Sequence, residues 1–68
     1  MKPMKLADVL ARTGRTEAVT LEDARKIVGN QSRQITHNMA CALSLHTWNN
    51  TAADWRRLEA ALVVLAHK

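Results

Sequence analysis

The sequence is organised around a glycine that separates two helical patterns. Before Gly29, the segment 20–28 places apolar residues three and four positions apart, and after it the segment 33–45 does the same. This spacing keeps the apolar residues on one face of an α-helix. Thr20 and Ser32 stand where helix N-caps are expected, since a hydroxyl there accepts a hydrogen bond from the backbone. The pattern therefore predicts two short helices joined by a tight turn.

Two further helices are predicted towards the ends of the chain. Residues 4–13 carry apolar side chains at helical spacing and precede Gly14, a typical helix end. Thr51 is predicted to begin the last helix, with Trp55 as the first residue of its inward stripe. In the segment 33–45, the residues predicted to face the core are Ile35, Met39, Ala42 and Leu43. Alanine and leucine are good helix formers. We therefore predict an all-α fold, a small bundle of three to four short helices forming a single domain over residues 1–68.

The length of the chain and its single cysteine limit the classes of protein to which it can belong. A chain of 68 residues buries only about 60% of the surface that it exposes when unfolded. Cys41 is the one cysteine, so no disulfide can form within the chain. This fits a reducing, cytoplasmic location. The basic N-terminus lacks the apolar run of a signal peptide, and no apolar stretch approaches the ~18 residues of a membrane span. We expect a soluble protein without a membrane partner.

The last helix is predicted to form a homodimer. Its sequence becomes apolar on more than one face through AALVVLA, which a surface helix of a monomer does not need. A small domain also gains stability from self-association. The residues of the predicted dimer interface are Leu58, Leu62, Val63, Val64 and Leu65.

The sequence gives little support for catalysis or for a metal site. Most acidic residues lie where helix starts explain them, and there is no glycine-rich phosphate loop, nucleophile elbow or HExxH motif. His37 and Cys41 are four residues apart and could present two ligands on one helix face. A structural zinc site uses four. We therefore expect no enzyme activity, no metal and no cofactor.

The feature most informative for function is a long run without acidic residues. No Asp or Glu occurs from Ala24 to Ala53, in a chain whose net charge is +4. The basic residues and histidines inside this run are Arg25, Lys26, Arg33, His37 and His46. Such a charge distribution favours acidic partners, nucleic acid first, although an acidic protein surface attracts the same charge.

Residues 20–45 resemble the helix-turn-helix DNA-binding proteins. Gly29 and Ile35 stand where that family has its turn glycine and the buried β-branched residue of its second helix. Ala24 and Val28 supply apolar positions before the turn. The sequence departs from the family pattern at Arg25, Asn30 and Asn38.

The resemblance implies a helix-turn-helix-like centre in which the helix 33–45 lies in the major groove of DNA. Arg, Gln and Asn can pair with base edges, and an α-helix fits that groove. The predicted nucleic-acid-binding residues are Arg25, Lys26, Gln31, Arg33, Gln34, His37 and Asn38. We therefore predict a DNA-binding protein of the regulator type. The alternative is a small phage-type protein that binds a host protein and inhibits or modulates it, through the polar helix or the apolar last one.

Overall fold

The chain folds into four α-helices with a short 3₁₀ turn before the last, in a computed structural model that describes residues 2–67. The helices are α1 (Leu6–Thr13), α2 (Leu21–Val28), α3 (Arg33–Leu45) and α4 (Ala52–Ala66), and the 3₁₀ turn is Thr47–Asn49. Residues 2–67 contain no β-strand. The predicted all-α fold, a small bundle of short helices, is confirmed.

The last helix, α4, is the centre of the bundle. The other three helices each pack on α4 and have few contacts with one another. All four helices contribute to the core, whose buried apolar residues are Val9, Ala24, Val28, Ala40, Leu58, Ala60, Ala61 and Val63. Because α4 is covered from three directions, it needs apolar residues on more than one face.

This position of α4 corrects the predicted dimer interface. Leu58 is fully buried and Val63 is only 5% exposed, so both belong to the core of a single chain. The prediction is wrong for these two residues, because they have no surface left to offer a second copy. The other three residues, Leu62, Val64 and Leu65, are half-buried and pack against the same core.

The face that α3 turns to the core also differs from the predicted one. Ile35 is 53% exposed and Ala42 faces solvent, whereas Thr36 and Ala40 are buried. The other two residues of the predicted stripe do pack against the core. A threonine can occupy this buried position because its hydroxyl donates to the carbonyl oxygen of Ser32 at 2.9 Å, which satisfies its polar group.

The predicted hydroxyl caps form at the starts of α2, α3 and α4. The side-chain oxygens of Thr20, Ser32 and Thr51 each accept a hydrogen bond from the backbone N–H three residues further on. At α4 the cap is reciprocal, since the Asp54 carboxylate accepts from the Thr51 N–H at 3.1 Å. This double arrangement fixes the first turn of the central helix.

Replacing the cap of the central helix should lower stability measurably. We expect Thr51→Ala to reduce the free energy of unfolding by about 1 kcal/mol, because the Asp54 N–H loses its side-chain acceptor. Urea denaturation followed by circular dichroism measures the change. Thr16→Ala, at an exposed position of the α1–α2 connection, is the control and should change stability by less than about 0.5 kcal/mol. Equal effects of the two substitutions would contradict the capping role.

A buried carboxylate fastens the α1–α2 connection to the central helix. Glu59 is 1% exposed. One of its oxygens, Oε2, accepts from the Val19 N–H at 2.8 Å, and the other, Oε1, lies 3.4 Å from Nη1 of Arg15. A backbone hydrogen bond to an ionised acceptor is stronger than a neutral one. Glu59 therefore holds two residues that are about forty positions away in the chain.

Candidate nucleic-acid interface

Four of the predicted nucleic-acid-binding residues line one groove. Arg25, Lys26, Gln31 and Arg33 surround a space of about 540 Å³ between the end of α2, the turn that follows it and the end of α4. We call this space the basic groove. No acidic residue is among those that line it. Its electrostatic character is therefore set by three cationic side chains.

The turn at Gly29 sets the angle between the two helices that form the groove. Its φ of 84° lies in a region that glycine adopts without the steric cost paid by other residues. The Gly29 N–H donates to the carbonyl oxygen of Arg25 at 2.8 Å, and its own carbonyl accepts from the Gln31 N–H at 3.1 Å. These bonds end α2 and direct the chain into α3, so that Arg25 and Gln31 line the same groove.

The two cations from α2 are available to an incoming anion. Arg25 and Lys26 are exposed, and they occupy the last turn of α2, where positive charge is favoured by the helix dipole. Lys26 pairs with Glu22 at 3.7 Å, and both side chains are largely in solvent. An exposed pair of this kind contributes at most about 1 kcal/mol. A phosphate can therefore replace Glu22 at little cost.

Arg33 has a structural role that the sequence did not predict. Its guanidinium donates to the carbonyl oxygen of His67 at 2.9 Å and also to that of Leu65. These carbonyls lie at the C-terminal end of α4, where the helix itself supplies no donors. A guanidinium has five N–H donors, so Arg33 can hold α4 and still contact an anion. Arg33 lies at the wall of the basic groove. To contact a base edge, its guanidinium would have to break its hydrogen bonds to the end of α4.

The remaining predicted residues lie further along α3. Gln34 and Asn38 are exposed and joined by a hydrogen bond of 3.0 Å between their side-chain amides. Gln34 and His37 line a second, larger groove of about 760 Å³, which is shared with Arg33 and has apolar residues of α4 along it. Asn38 lines neither groove. The structure thus separates these residues from Arg25 and Lys26.

His37 and Cys41 are close to each other, as the spacing on one helix face predicts. The Cys41 sulfur lies 3.8 Å from both ring nitrogens of His37. Within residues 2–67, no group of three or more His, Cys, Asp or Glu side chains is arranged to hold a metal ion.

Two exposed polar residues of the basic groove are absent from the predicted nucleic-acid-binding residues. Asn30 belongs to the acid-free run and adjoins Gln31, so the same signal could have found it. His67 comes from the far end of the chain, and only the position of α4 brings it to the groove. No local pattern in the sequence indicates that contact.

The helix-turn-helix resemblance carries over only in part to the three-dimensional arrangement. Helices α2 and α3 follow each other through a glycine turn, as the resemblance implies. Each packs chiefly on α4, however, and Ile35 is exposed where the resemblance implies a buried residue. Ala24 and Val28 of α2, together with Thr36 and Ala40 of α3, are instead the buried residues of these two helices, each of which packs on α4.

The function of the chain has to be inferred from the contacts described above, because comparisons with other proteins find no relative. In residues 2–67, no helix has both the length and the apolar character that crossing a membrane requires. Comparisons of the chain with protein-family models, curated proteins and solved structures find no match.

Proposed function

We propose that this chain binds nucleic acid, and duplex DNA in particular, through the basic groove. The observation that supports this most is the gathering of Arg25, Lys26 and Arg33 around a groove with no acidic lining. Phosphate contacts supply most of the affinity of such complexes, and they need cations that are exposed and close together. The net charge of +4 adds a long-range attraction of the same sign.

The proposed contacts are of two types, those to phosphates and those to base edges. Arg25 and Lys26 bind phosphates, since both are exposed at the rim of the groove. The first turn of α3 adds backbone N–H groups, which favour anions at a helix N-terminus. Gln34 and Asn38 supply the contacts to base edges, because an amide can pair with adenine and their mutual hydrogen bond is easily exchanged. Recognition of bases by these two residues would suit a regulator of transcription.

The test of the proposal is the salt dependence of DNA binding. We expect the double substitution Arg25→Gln and Lys26→Gln to lower the affinity for a 20-base-pair duplex at least tenfold. It should also reduce the slope of log affinity against log salt by about two, one for each phosphate that the variant no longer neutralises. Fluorescence anisotropy of a labelled duplex at several salt concentrations measures both quantities.

A matched control separates the groove from the overall charge. The double substitution Arg12→Gln and Arg56→Gln removes the same charge from another surface, formed by α1 and the first two turns of α4. Along α4, Arg56 and His67 of the basic groove are about 16 Å apart. We expect this control to keep the slope within about half a unit of the original. If the two double variants lose affinity equally, only the net charge matters and the groove is not the site.

A second candidate, binding to another protein and modulating it, is favoured by a different observation. Leu45 and Trp48, at the end of α3 and in the 3₁₀ turn, are large apolar residues that face solvent. Exposed apolar clusters are typical of protein-binding surfaces. This candidate predicts a complex that survives nuclease treatment and is lost in Leu45→Asp, while the double substitution of Arg25 and Lys26 leaves it intact.

A further inference from the structure

We infer that a second copy of this chain docks on the outward face of α3 and the 3₁₀ turn that follows it. Ile35, Leu45 and Trp48 are the large hydrophobic residues of the described chain with most exposure, at 53%, 47% and 80%. Ile35 and Leu45 are ten positions apart, which places them close to one side of α3. We call the neutral face the exposed α3 residues Ile35, Asn38, Ala42 and Leu45, together with Trp48 three positions beyond Leu45 in the 3₁₀ turn.

The neutral face belongs to a segment without formal charges. The chain has ten Lys or Arg residues and six Asp or Glu residues, yet none of them lies between positions 34 and 53. The titratable side chains of that segment are His37, Cys41 and His46. The amide of Asn38, on the neutral face, already accepts a hydrogen bond from the amide of the neighbouring Gln34.

The absence of formal charge on the neutral face bears on which partner it can accept. In a two-fold dimer the same patch is present on both copies, so any net charge on it meets an identical charge and is repelled. This chain carries a net charge of +4, and the neutral face is where two copies can approach without that repulsion. An acidic partner would gain more from the basic groove, where the cations lie. The charge pattern thus favours a second copy on the neutral face.

The shape of the face fits contact between two α3 helices. Ala42 lies between Asn38 and Leu45 on the exposed side, and its small side chain permits close approach of two helices. Trp48 follows Leu45 by three positions, and its ring forms a T-shaped pair with that of His46 at a centroid distance of 5.0 Å. An indole has about 250 Å² to bury. At 80% exposure, the two Trp48 residues would supply about 400 Å² of the ~1,200 Å² of a stable interface.

The dimer leaves the basic groove open, because Arg25, Lys26 and Gln31 are not part of the neutral face. Self-association is therefore independent of the phosphate contacts proposed for Arg25 and Lys26, but it shares Asn38 with the proposed base contacts. Failure of self-association would not imply failure of phosphate binding in the basic groove. An interface with so little apolar area should be weak. We expect a dimer that forms in the micromolar range and dissociates on dilution.

The experiment is sedimentation equilibrium between about 5 and 500 µM in 0.15 M sodium chloride, without nucleic acid. The apparent mass should rise from 7.6 kDa towards twice that value, which is 15.2 kDa. Leu45→Asp, which places a carboxylate in the apolar contact on each copy, should raise the dissociation constant at least tenfold. Trp48→Asp is the second variant, in the 3₁₀ turn outside α3, so its effect does not depend on α3 tolerating a new charge.

Ala11→Asp on the exposed side of α1 makes the same change of charge elsewhere and should leave the dissociation constant unchanged. Circular dichroism establishes that each variant is folded. A mass of 7.6 kDa at every concentration would overturn the inference and leave the neutral face to a different protein. Equal weakening by Leu45→Asp and Ala11→Asp would also overturn it, since the effect would then follow net charge.

Discussion

Val63→Glu is expected to leave the chain unfolded at 25 °C. Val63 lies on the central helix α4, is 5% exposed and belongs to the core cluster. Burying an ionised carboxylate without a partner costs several kcal/mol. A domain of 68 residues has a total stability of only about 3–10 kcal/mol. Far-UV circular dichroism should therefore show loss of the helical signal without any denaturant.

The same substitution at an exposed position of α4 provides the control. Ala53→Glu lies in the first turn of the helix, where a negative charge is favoured by the dipole. We expect it to keep the fold and to change stability by less than about 0.5 kcal/mol. A Val63→Glu variant that stays folded and only loses self-association would contradict the structure. That outcome would restore the dimer interface on α4 that the sequence predicts.

Glu59→Ala is expected to have the second largest effect, a loss of about 3 kcal/mol in the free energy of unfolding from an unsatisfied N–H and lost packing. The substitution removes the acceptor of the Val19 N–H and the partner of Arg15, and it leaves a space beside the core. The Val19 N–H is part-buried, so water replaces the carboxylate poorly. Urea denaturation measures the loss, and an unchanged m-value would show that the unfolding transition itself is the same.

Two further variants separate the hydrogen bond from the charge. Glu59→Gln keeps the volume and an oxygen that can accept from Val19, so we expect a loss of only about 1 kcal/mol. The pair with Arg15 contributes little, since the Arg15 side chain is partly in solvent. Glu17→Ala, at an exposed position, should have almost no effect. If Glu59→Ala costs no more than Glu17→Ala, the α1–α2 connection is not held by this carboxylate.

Local features of the sequence were enough to predict the helices. Thr20, Ser32 and Thr51 start helices because the chemistry of a cap involves only the next three residues. Gly29 marks the turn because few other residues adopt its φ readily. The all-α fold follows from such signals. These capping and turn signals are the same whichever helix lies at the centre of the bundle.

The position of the central helix is the information that the sequence lacks. A helix that is apolar on several faces is compatible with a dimer interface or with contact to three neighbours in one chain. Nothing in the local pattern of Leu58 and Val63 distinguishes these cases. The same holds for α3, where Ile35 and Thr36 are neighbours about 100° apart on the helix. The packing against α4 buries Thr36 and exposes Ile35.

The sequence predicts the part of the candidate site that lies in one continuous segment of the chain. The acid-free run indicates Arg25, Lys26 and Gln31, which do line one groove. The sequence could not indicate that Arg33 bonds to the end of α4 or that His67 joins the groove, since both contacts link positions more than thirty residues apart. For Glu59, the sequence shows an ordinary acidic residue, and only the fold brings Val19 to it.

The proposal that the basic groove binds nucleic acid is tested most directly by mapping the contact surface. Backbone amide chemical shifts would be recorded for isotope-labelled protein while a 20-base-pair duplex is added in 0.1 M salt. We expect saturable changes that are largest at residues 25–34, at Asn38 and at His67, with little change at Arg12 and Arg56. Changes that are largest at Arg12 and Arg56, or are confined to the neutral face, or fail to saturate, would contradict the proposal.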